Sequence, residues 1–393
     1  MKKCELIMVT SDNNNKFYNM EECGSSIKVV YGRVGSKGTE VTYPLSKWES
    51  LRNQKIKKGY TDITDLKKEI KVSNCKPIED VEVADIVDQL VSRARTQISD
   101  NYLVSYKEVT RKQVNEAQSA LNSILEYRKK FVPVEEINNR LLRLYQIIPR
   151  KMKNVKLYLL DTFDTARLKE LIKYEQDLLD TISTQVIQNE DTTGMEGKTL
   201  LELANLTMRP VTKKEKSLIL DKLGNNKNQY VRAFAVSQEP TTTDFENNLA
   251  TKDNKTIDYF WHGSRTENWW SILSTGLKIR PSNAVYTGSM YGDGIYFAPK
   301  AQKSIGYTSL RHSYWASGTD NKAYLALFKV HKGKQYDIYE HDSSCYKLSA
   351  DKLKQLGDFD STFAHAGASL KNDEFIIYNP NQCCVAYLVE ISA

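Results

Sequence analysis

Residues 260–276 read FWHGSRTENWWSILSTG and contain the clearest change from strand to helix in the chain. An apolar run ends at His262 and Gly263, and apolar residues then recur at helical spacing until Gly276. The pattern predicts a strand, a tight turn and a short helix, with His262, Gly263 and Ser264 on the turn. Because glycine has no Cβ, the backbone at Gly263 can approach a ligand closely. A lone His-Gly pair is more typical of an ordinary turn.

A glycine-rich stretch, TGSMYGDGIYFA, follows at residues 287–298. Its spacing matches neither the GxGxxG pattern of dinucleotide-binding folds nor the P-loop pattern. The stretch leads into Tyr296, and Ser304 and Tyr307 follow it, so we expect two tyrosine rings and a hydroxyl near one cleft. Two aromatic faces can hold a planar heterocycle between them. Taken alone, these tyrosines are more typical of a hydrophobic core.

A third motif, NDEFIIY, covers residues 372–378. Alternation along a strand predicts that Glu374 shares a face with Ile376 and Tyr378. A carboxylate beside such residues lies either at a solvated sheet edge or inside a functional site. Taken alone, Glu374 favours the sheet edge.

The composition is that of a soluble globular protein: 393 residues, 40% hydrophobic and 27% charged, with a formal net charge of +7. The length predicts two or three domains. No apolar run reaches the ~18 residues that a membrane helix needs, and no secretory signal is recognisable, so we expect an intracellular protein with no membrane partner. The six cysteines form no CxxC pair and have no ligand-like spacing with the five histidines. We therefore expect neither a disulfide framework nor a metal site.

The chain divides into three regions by pattern. In the first, β-rich runs at residues 5–9 and 27–31 and a helical segment at 46–58 predict a small sheet with one helix. Residues 76–188 contain no glycine and carry apolar residues at helical spacing, which predicts an all-helical domain. A polar stretch at residues 188–197 marks the next boundary, and beyond it the β pattern returns. All five histidines lie in that last region.

Taken together, the three motifs resemble those of the poly(ADP-ribose) polymerase catalytic domain, whose His–Tyr–Glu triad binds NAD. The matching residues are His262 in WHGSR, Tyr296 in GDGIYFA and Glu374 in NDEFIIY. Three short motifs in the right order are far more specific than any one of them. The resemblance implies that NAD+ is the substrate.

The resemblance extends upstream. Residues 29–38, VVYGRVGSKG, are similar to the WGR domain, the DNA-end-sensing module of DNA-dependent members, and short helical segments resemble the family's regulatory domain. The arrangement is similar to that of the shorter DNA-dependent polymerases without zinc fingers. The implied fold is multidomain, with an α+β WGR-like DNA-sensing domain at 1–75, an all-α regulatory (autoinhibitory) domain at 76–188, and an α+β ADP-ribosyltransferase domain of packed antiparallel sheets at 198–393.

The resemblance also implies how the nicotinamide end of NAD+ would be held. Gly263 would bond the carboxamide through its backbone, and Ser304 would bond it through its hydroxyl. Tyr307 and Tyr296 would stack on the two sides of the ring.

The remaining implied roles concern the two riboses. His262 and Ser264 would bond the adenine ribose. Glu374 would accept a hydrogen bond from the 2′-hydroxyl of the nicotinamide ribose, stabilise the positive charge that builds as the nicotinamide bond breaks, and polarise the incoming hydroxyl. The reference pKa of a glutamate is about 4.3, so we expect Glu374 to be ionised near neutrality.

A cationic cluster beside the YGR turn predicts contact with phosphates at a DNA break. It consists of Lys47, Arg52, Lys55, Lys57 and Lys58 and would act together with Arg33. Arg33, Lys55 and Lys57 are the predicted DNA-binding residues, and a solvated surface face is the alternative interpretation. Tyr31 stands where the WGR domain has its tryptophan, so stacking against a DNA terminus would differ from that of the family.

Three further positions depart from residues that are common in the family: Lys278, Ser289 and Asp293. They border the adenosine and acceptor sides in the resemblance. They therefore bear on NAD affinity and on the length of any polymer.

The predicted function is transfer of ADP-ribose from NAD+ to proteins, including the enzyme itself, with release of nicotinamide and activation by DNA breaks. The alternatives are a mono-ADP-ribosyltransferase acting on protein or nucleic acid, and a DNA-binding scaffold with an inactive transferase domain, which the intact triad disfavours. Expected partners are DNA strand breaks or ends and protein acceptors. The sequence leaves open whether an accessory factor completes the acceptor site. The expected location is the nucleus in a eukaryotic host, and otherwise the cytoplasm or nucleoid.

Overall fold

The computed structural model describes residues 2–64, 75–104, 109–125, 132–190, 197–279 and 290–393, without the side chains of residues 125 and 187–190. The chain folds into two compact units. One consists of Met1–Val72 and Arg95–Thr193, and the other of Ser73–Ala94 and Gly194–Ala393. In the described part of the chain, no helix is both long and apolar enough to cross a membrane.

The first unit begins with a five-stranded antiparallel sheet. Its strands are β1 (Lys3–Thr10), β2 (Asn14–Cys23), β3 (Ser26–Arg33), β4 (Thr39–Pro44) and β5 (Thr61–Asp62), in the order β4-β3-β2-β1-β5. Helix α1 (Trp48–Lys57) buries Trp48 against the apolar face of this sheet. The helix ends as the sequence predicts, because Gly59 adopts a φ of 86° that favours glycine.

Four longer helices lie where the helical spacing predicts them: α2 (Val81–Asn101), α3 (Arg111–Leu125), α4 (Val134–Ile147) and α5 (Thr165–Glu190). In the first unit, α3 packs against α4 and α5. Arg150, just after α4, forms a buried ion pair with Glu175 of α5 at 3.2 Å, and each side chain is only 2% exposed. Removing one partner of such a pair typically costs about 3–5 kcal/mol, because a buried charge is left without compensation.

The second unit contains α6 (Leu200–Leu203), α7 (Lys213–Leu223), α8 (Glu239–Ala250), α9 (Trp269–Thr275), α10 (Ala301–Ile305) and α11 (Ala350–Gly357). Its strands are β6 (Leu206–Pro210), β7 (Tyr230–Gln238), β8 (Ile257–Gly263), β9 (Ile295–Phe297), β10 (Lys322–His331), β11 (Gln335–Ile338), β12 (Ser361–Ala364), β13 (Glu374–Ile377) and β14 (Cys383–Ser392).

The strands of the second unit form two sheets. The larger has the order β6-β7-β14-β10-β8 with antiparallel neighbours, and the smaller has the order β11-β12-β13-β9. In the smaller sheet β11 and β12 run parallel, and the remaining neighbours are antiparallel. The expectation of antiparallel sheets therefore holds except for this one pair of described strands. The sheets pack face to face where Phe260 of β8 stacks on Phe375 of β13, with ring centres 4.5 Å apart. This packing brings the end of β8 close to β9 and β13.

The first half of α2, residues 81–94, belongs to the core of the second unit. Its buried side chains, Leu90 among them, pack with Phe234 and Trp270. Asp85 forms an ion pair with Arg232 of β7. The apolar face of this half-helix is therefore covered by the unit that contains the three sequence motifs.

Candidate active site

His262 lies near the end of β8 and is held by aromatic rings and by a backbone carbonyl. The rings of Trp269, Phe297 and Phe328 meet it edge-on at 6.1–6.3 Å. His262 Nδ1 lies 3.1 Å from the carbonyl oxygen of Tyr296. A carbonyl can only accept, so Nδ1 carries a proton. The orientation of the imidazole is thus set by the fold.

Gly263 is required by the close approach of α10. A Cβ at this position would lie 2.0 Å from the carbonyl oxygen of Ser304, closer than any real contact. The sequence predicted a close backbone approach at Gly263, and the approaching group in the structure is the backbone of Ser304. Ser264 follows on the turn, where its hydroxyl accepts a hydrogen bond from the Asn268 amide at 3.2 Å. The structure therefore brings His262, Gly263, Ser264 and Ser304 together.

Tyr296 lies on β9, beside Ile376 of β13. Its hydroxyl accepts from the backbone N–H of Tyr291 at 3.0 Å and donates to the carbonyl of Gly292 at 2.8 Å. Burial is the main cause that raises the pKa of Tyr296 well above its ordinary value. The hydroxyl is thus neutral and occupied in anchoring the glycine-rich turn, and the ring is what Tyr296 can offer to a ligand.

Tyr307 follows α10 and lies near Glu374. Burial, and secondly the charge of Glu374, raise the pKa of Tyr307 to about 12. The ring of Trp315 stacks on the Tyr307 ring with centres 6.0 Å apart and planes inclined by 16°. Tyr307 is therefore neutral at physiological pH, and one side of its ring has an aromatic neighbour.

Glu374 is the first residue of β13 and is 7% exposed, so the sheet-edge interpretation of this carboxylate is wrong. Glu374 Oε1 accepts from the ammonium group of Lys303. Glu374 Oε2 is buried and has no hydrogen-bond partner among the described residues. Burial raises the pKa of Glu374, and the charge and hydrogen bond of Lys303 oppose that rise.

Sequence reasoning missed Lys303. It directly precedes Ser304, but an isolated lysine on a short helix carries no motif. The available signal was indirect, because a buried carboxylate needs a cation or several donors to remain ionised. Lys303 is the cation that meets this need.

The arrangement suits chemistry on a cationic sugar centre. The carboxylate of Glu374 is oriented by Lys303, is shielded from water, and has one oxygen that no described residue occupies. Such a group can accept a hydrogen bond from a hydroxyl and stabilise a nearby positive charge more strongly than it would in water. Tyr307 adds an aromatic surface beside it.

The predicted DNA-binding residues lie in the first unit. Tyr31 on β3 is 38% exposed, and its ring lies 5.9 Å from that of Tyr18. The Lys55 ammonium lies over both rings, at 4.2 Å from Tyr18 and 5.8 Å from Tyr31, and burial is the main cause that lowers the pKa of Lys55. Lys57 is exposed at the end of α1. The structure thus brings Tyr31 and Lys55 together.

Arg33 makes a different set of contacts. Its guanidinium donates to the carbonyl and to the side-chain oxygen of Asn13, both at 2.9 Å, and to the carbonyl of Lys153. Asn13 also accepts from the backbone N–H of Val155 at 2.8 Å. Arg33 therefore links the first sheet to the segment that follows α4.

Of the three departing positions, Lys278 is exposed and Asp293 is half-buried. Ser289 lies outside the described residues. Within the described ranges, no group of three or more His, Cys, Asp or Glu side chains could hold a metal ion.

Comparison with known proteins identifies the family. Residues 220–393 match the poly(ADP-ribose) polymerase catalytic domain. The chain is 34% identical to the putative poly(ADP-ribose) polymerase-like protein 100L of Invertebrate iridescent virus 6, over 45% of this chain and 94% of that protein. The chain belongs to the poly(ADP-ribose) polymerase family. This member is therefore an NAD+ ADP-ribosyltransferase, as the motifs predict, and NAD+ is its substrate.

Two cellular members of the family are also similar. Poly(ADP-ribose) polymerase 2 of Homo sapiens is 34% identical over 33% of this chain and 26% of that protein. Poly(ADP-ribose) polymerase 2 of Arabidopsis thaliana is 23% identical over 97% of this chain and 71% of that protein. The likeness to the plant polymerase thus extends beyond the catalytic domain.

Proposed function

We propose that this enzyme is a poly(ADP-ribose) polymerase activated by DNA breaks, which modifies proteins, including itself, and releases nicotinamide. The observation that carries the catalytic part is the buried carboxylate of Glu374, oriented by Lys303 and with Oε2 lacking a partner among the described residues. The substrate hydroxyl that would satisfy Oε2 is the 2′-hydroxyl of the nicotinamide ribose.

At the nicotinamide end, the close packing of Gly263 against Ser304 supports a shared carboxamide site. The backbone of Gly263 offers one donor and one acceptor, which match an amide, and the Ser304 hydroxyl adds another polar group. Tyr307 and Tyr296 supply the aromatic faces for the ring. His262, held by its Nδ1 contact with the carbonyl of Tyr296, would bond a hydroxyl of the adenine ribose, with Ser264 beside it.

In this proposal Glu374 acts at two moments. As the bond between nicotinamide and ribose breaks, the electron pair leaves with nicotinamide, and positive charge builds on the ribose opposite the carboxylate. The acceptor oxygen then forms the new bond to the same ribose carbon. Glu374 draws on the proton of an acceptor hydroxyl during that step. Lys303 is a positioning residue, because it acts through Glu374.

The DNA-dependent part of the proposal assigns residues 1–75 to a WGR-like sensing domain, 76–188 to a regulatory domain and 198–393 to the transferase domain. Its support is the partly exposed ring of Tyr31 beside the Lys55 ammonium, with Lys57 exposed nearby on α1. A ring can stack on a terminal base pair while the cations meet phosphates. The proposal therefore places the enzyme with DNA inside the cell.

The experiment that tests the proposal is turnover of labelled NAD+ by the full chain, with and without a short nicked duplex. We expect release of nicotinamide, labelling of the enzyme as a ladder or smear, and a rise in both when DNA is added. One discrete shift indicates mono-ADP-ribosylation instead, and turnover that ignores DNA contradicts the DNA-dependent part. An inactive chain with normal DNA binding is the result expected of a scaffold.

A further inference from the structure

Residues 290–294 form a glycine-rich turn that is held by tyrosine side chains of the smaller sheet. The hydroxyl of Tyr296 bonds the N–H of Tyr291 and the carbonyl of Gly292. The hydroxyl of Tyr378, the residue that follows β13, donates to the carbonyl of Tyr291 at 2.6 Å. The position of the turn relative to the sheet is therefore fixed at neighbouring peptide groups.

A loop between β11 and α11, residues 341–348, also contacts this turn. A Cβ on Gly292 would lie 2.0 Å from the carbonyl oxygen of Leu348, so the two backbones touch directly. A Cβ on Gly294 would lie 2.5 Å from the side chain of Ile376 on β13. The turn is therefore packed tightly against both the 341–348 loop and β13.

His341 is the polar link between this loop and the turn. Its Nε2 lies 3.0 Å from the carbonyl oxygen of Met290. Because a carbonyl can only accept, Nε2 of His341 carries a proton and donates it. The rings of Tyr291 and Tyr346 meet the imidazole edge-on, with centres 5.5 and 4.7 Å away. His341 therefore donates to the turn from a position that is itself set by packing.

The turn lies next to the groups that are assigned to NAD+. Burial, and secondly the charge of Glu374, raise the pKa of Tyr291 to about 12, so Tyr291 lies near that carboxylate. The hydroxyl of Tyr296 anchors the same turn, and the Tyr296 ring would form one side of the nicotinamide site. A displacement of the turn would thus displace a wall of that site.

We propose that His341 is a positioning residue for NAD+, because its hydrogen bond to Met290 fixes the glycine-rich turn and, through the turn, the ring of Tyr296. His341 neither touches the substrate nor exchanges a proton with it. The inference rests on the proposed function, since it takes the Tyr296 ring as part of the nicotinamide site. A turn that is already ordered spares NAD+ the cost of ordering it on binding. Loss of the hydrogen bond should therefore weaken NAD+ binding more than it slows the chemical step.

The test compares three variants of the full chain. His341→Phe keeps a flat ring for Tyr291 and Tyr346 but removes the donor, whereas His341→Gln offers an amide N–H near the position of Nε2. We expect His341→Phe to raise the KM for NAD+ and the Kd for a non-hydrolysable analogue about two- to tenfold, the size of one net hydrogen bond, with kcat within about twofold. His341→Gln should restore most of the loss. His365→Phe is the matched control, because His365 Nε2 bonds Asp337 at 2.8 Å instead of the turn.

Hydrogen exchange of the segment that contains Tyr291 reports the position of the turn without any turnover. The N–H of Tyr291 donates to the Tyr296 hydroxyl at 3.0 Å. Its exchange should be faster in His341→Phe and close to that of wild type in His341→Gln. A residue that only contributes to packing would lower the unfolding temperature without this selective effect.

Unchanged KM and Kd in His341→Phe, or a loss that His341→Gln does not reduce, overturns the inference. So does a lower unfolding temperature of His341→Phe with normal exchange at Tyr291. An equal rise of KM in His365→Phe also contradicts it, because the effect is then not specific to the turn. If wild type neither binds the analogue nor releases nicotinamide, the proposed function fails, whereas an active wild type with unaltered variants removes only this inference.

Discussion

The ammonium group of Lys303 is paired with Glu374 Oε1, while Glu374 Oε2 has no partner among the described residues. The carboxylate is therefore held in one orientation with an acceptor left over. Both side chains are largely buried, at 13% and 9% exposure, so water does little to screen the pair. Substitution of either residue of this pair therefore tests the activity of the second unit.

Replacing Lys303 by Met should move the acid limb of activity to higher pH. Burial raises the pKa of Glu374 and Lys303 opposes that rise, so removing the ammonium raises the pKa further. Activity needs the ionised carboxylate and is lost as the pH falls through this pKa. The pH profile of kcat/KM for NAD+ measures the shift. Folding stability of the variant should fall as the pH rises through the same pKa, because the ionised carboxyl is then buried without compensation. An unmoved acid limb would contradict the pairing.

Glu374→Gln should abolish polymer formation while NAD+ binding stays close to normal. Glutamine keeps the shape and one acceptor but lacks the charge, so we expect kcat to fall by about 10²–10⁴. Calorimetry for NAD+ and gel analysis of the products measure the two effects. Asp373→Asn is the control, because Asp373 accepts from the N–H of Ala366, which an asparagine can still do. Similar losses in the two variants would remove Glu374 from the reaction.

Gly263→Ala should displace α10 and impair the use of NAD+. The new methyl group would lie 2.0 Å from the Ser304 carbonyl oxygen, so the backbone must move. Overpacking of this kind costs roughly 1–3 kcal/mol, and the movement takes Lys303 and Ser304 with it. Thermal unfolding and the KM for NAD+ test both consequences. Gly367→Ala should change neither, since the nearest atom to its Cβ is 3.9 Å away.

Leu90→Ala should destabilise the unit that contains the active site. Leu90 is fully buried in the core that the first half of α2 shares with Phe234 and Trp270. Loss of a buried leucine typically costs about 2–5 kcal/mol. Thermal unfolding of the catalytic unit measures this cost, and Val81→Ala, at an 81% exposed position of the same helix, should have almost no effect. A fragment beginning at residue 198 should unfold more readily for the same reason.

Lys57→Gln should weaken DNA binding without disturbing the fold. Lys57 is exposed, so its loss removes one phosphate contact, and the slope of log affinity against log salt should become shallower by about 0.9. Arg33→Ala should behave differently, because Arg33 bonds Asn13 and the carbonyl of Lys153. We expect it to abolish activation by DNA and to lower the unfolding temperature of the first unit. Fluorescence anisotropy over a salt series and NAD+ turnover with a nicked duplex separate the two variants.

Much of the local architecture could be predicted because it depends on short-range pattern. The return of the β pattern beyond residue 197 predicted the strands of the last region, and helical spacing within residues 76–188 predicted α2 to α5. Glycine at position 276 ends α9 as expected, with a φ of 75°. The three short motifs were also sufficient to indicate the family. Each motif sets one key residue, His262, Tyr296 or Glu374, within a short run of neighbours that can be recognised in the sequence.

The contacts between distant residues that form the site could not be predicted from such short-range patterns. Lys303 and Glu374 are 71 residues apart in the chain and meet only because α10 is packed against the end of β8, which faces β13. The same packing explains why Gly263 must be glycine, and it puts Glu374 in a buried site although its local pattern favoured a solvated edge. Nothing in the spacing of α2 indicated that residues 81–94 would belong to the catalytic unit. Local periodicity records which side of an element is buried, whereas the partner that buries it is chosen by the packing of the whole unit.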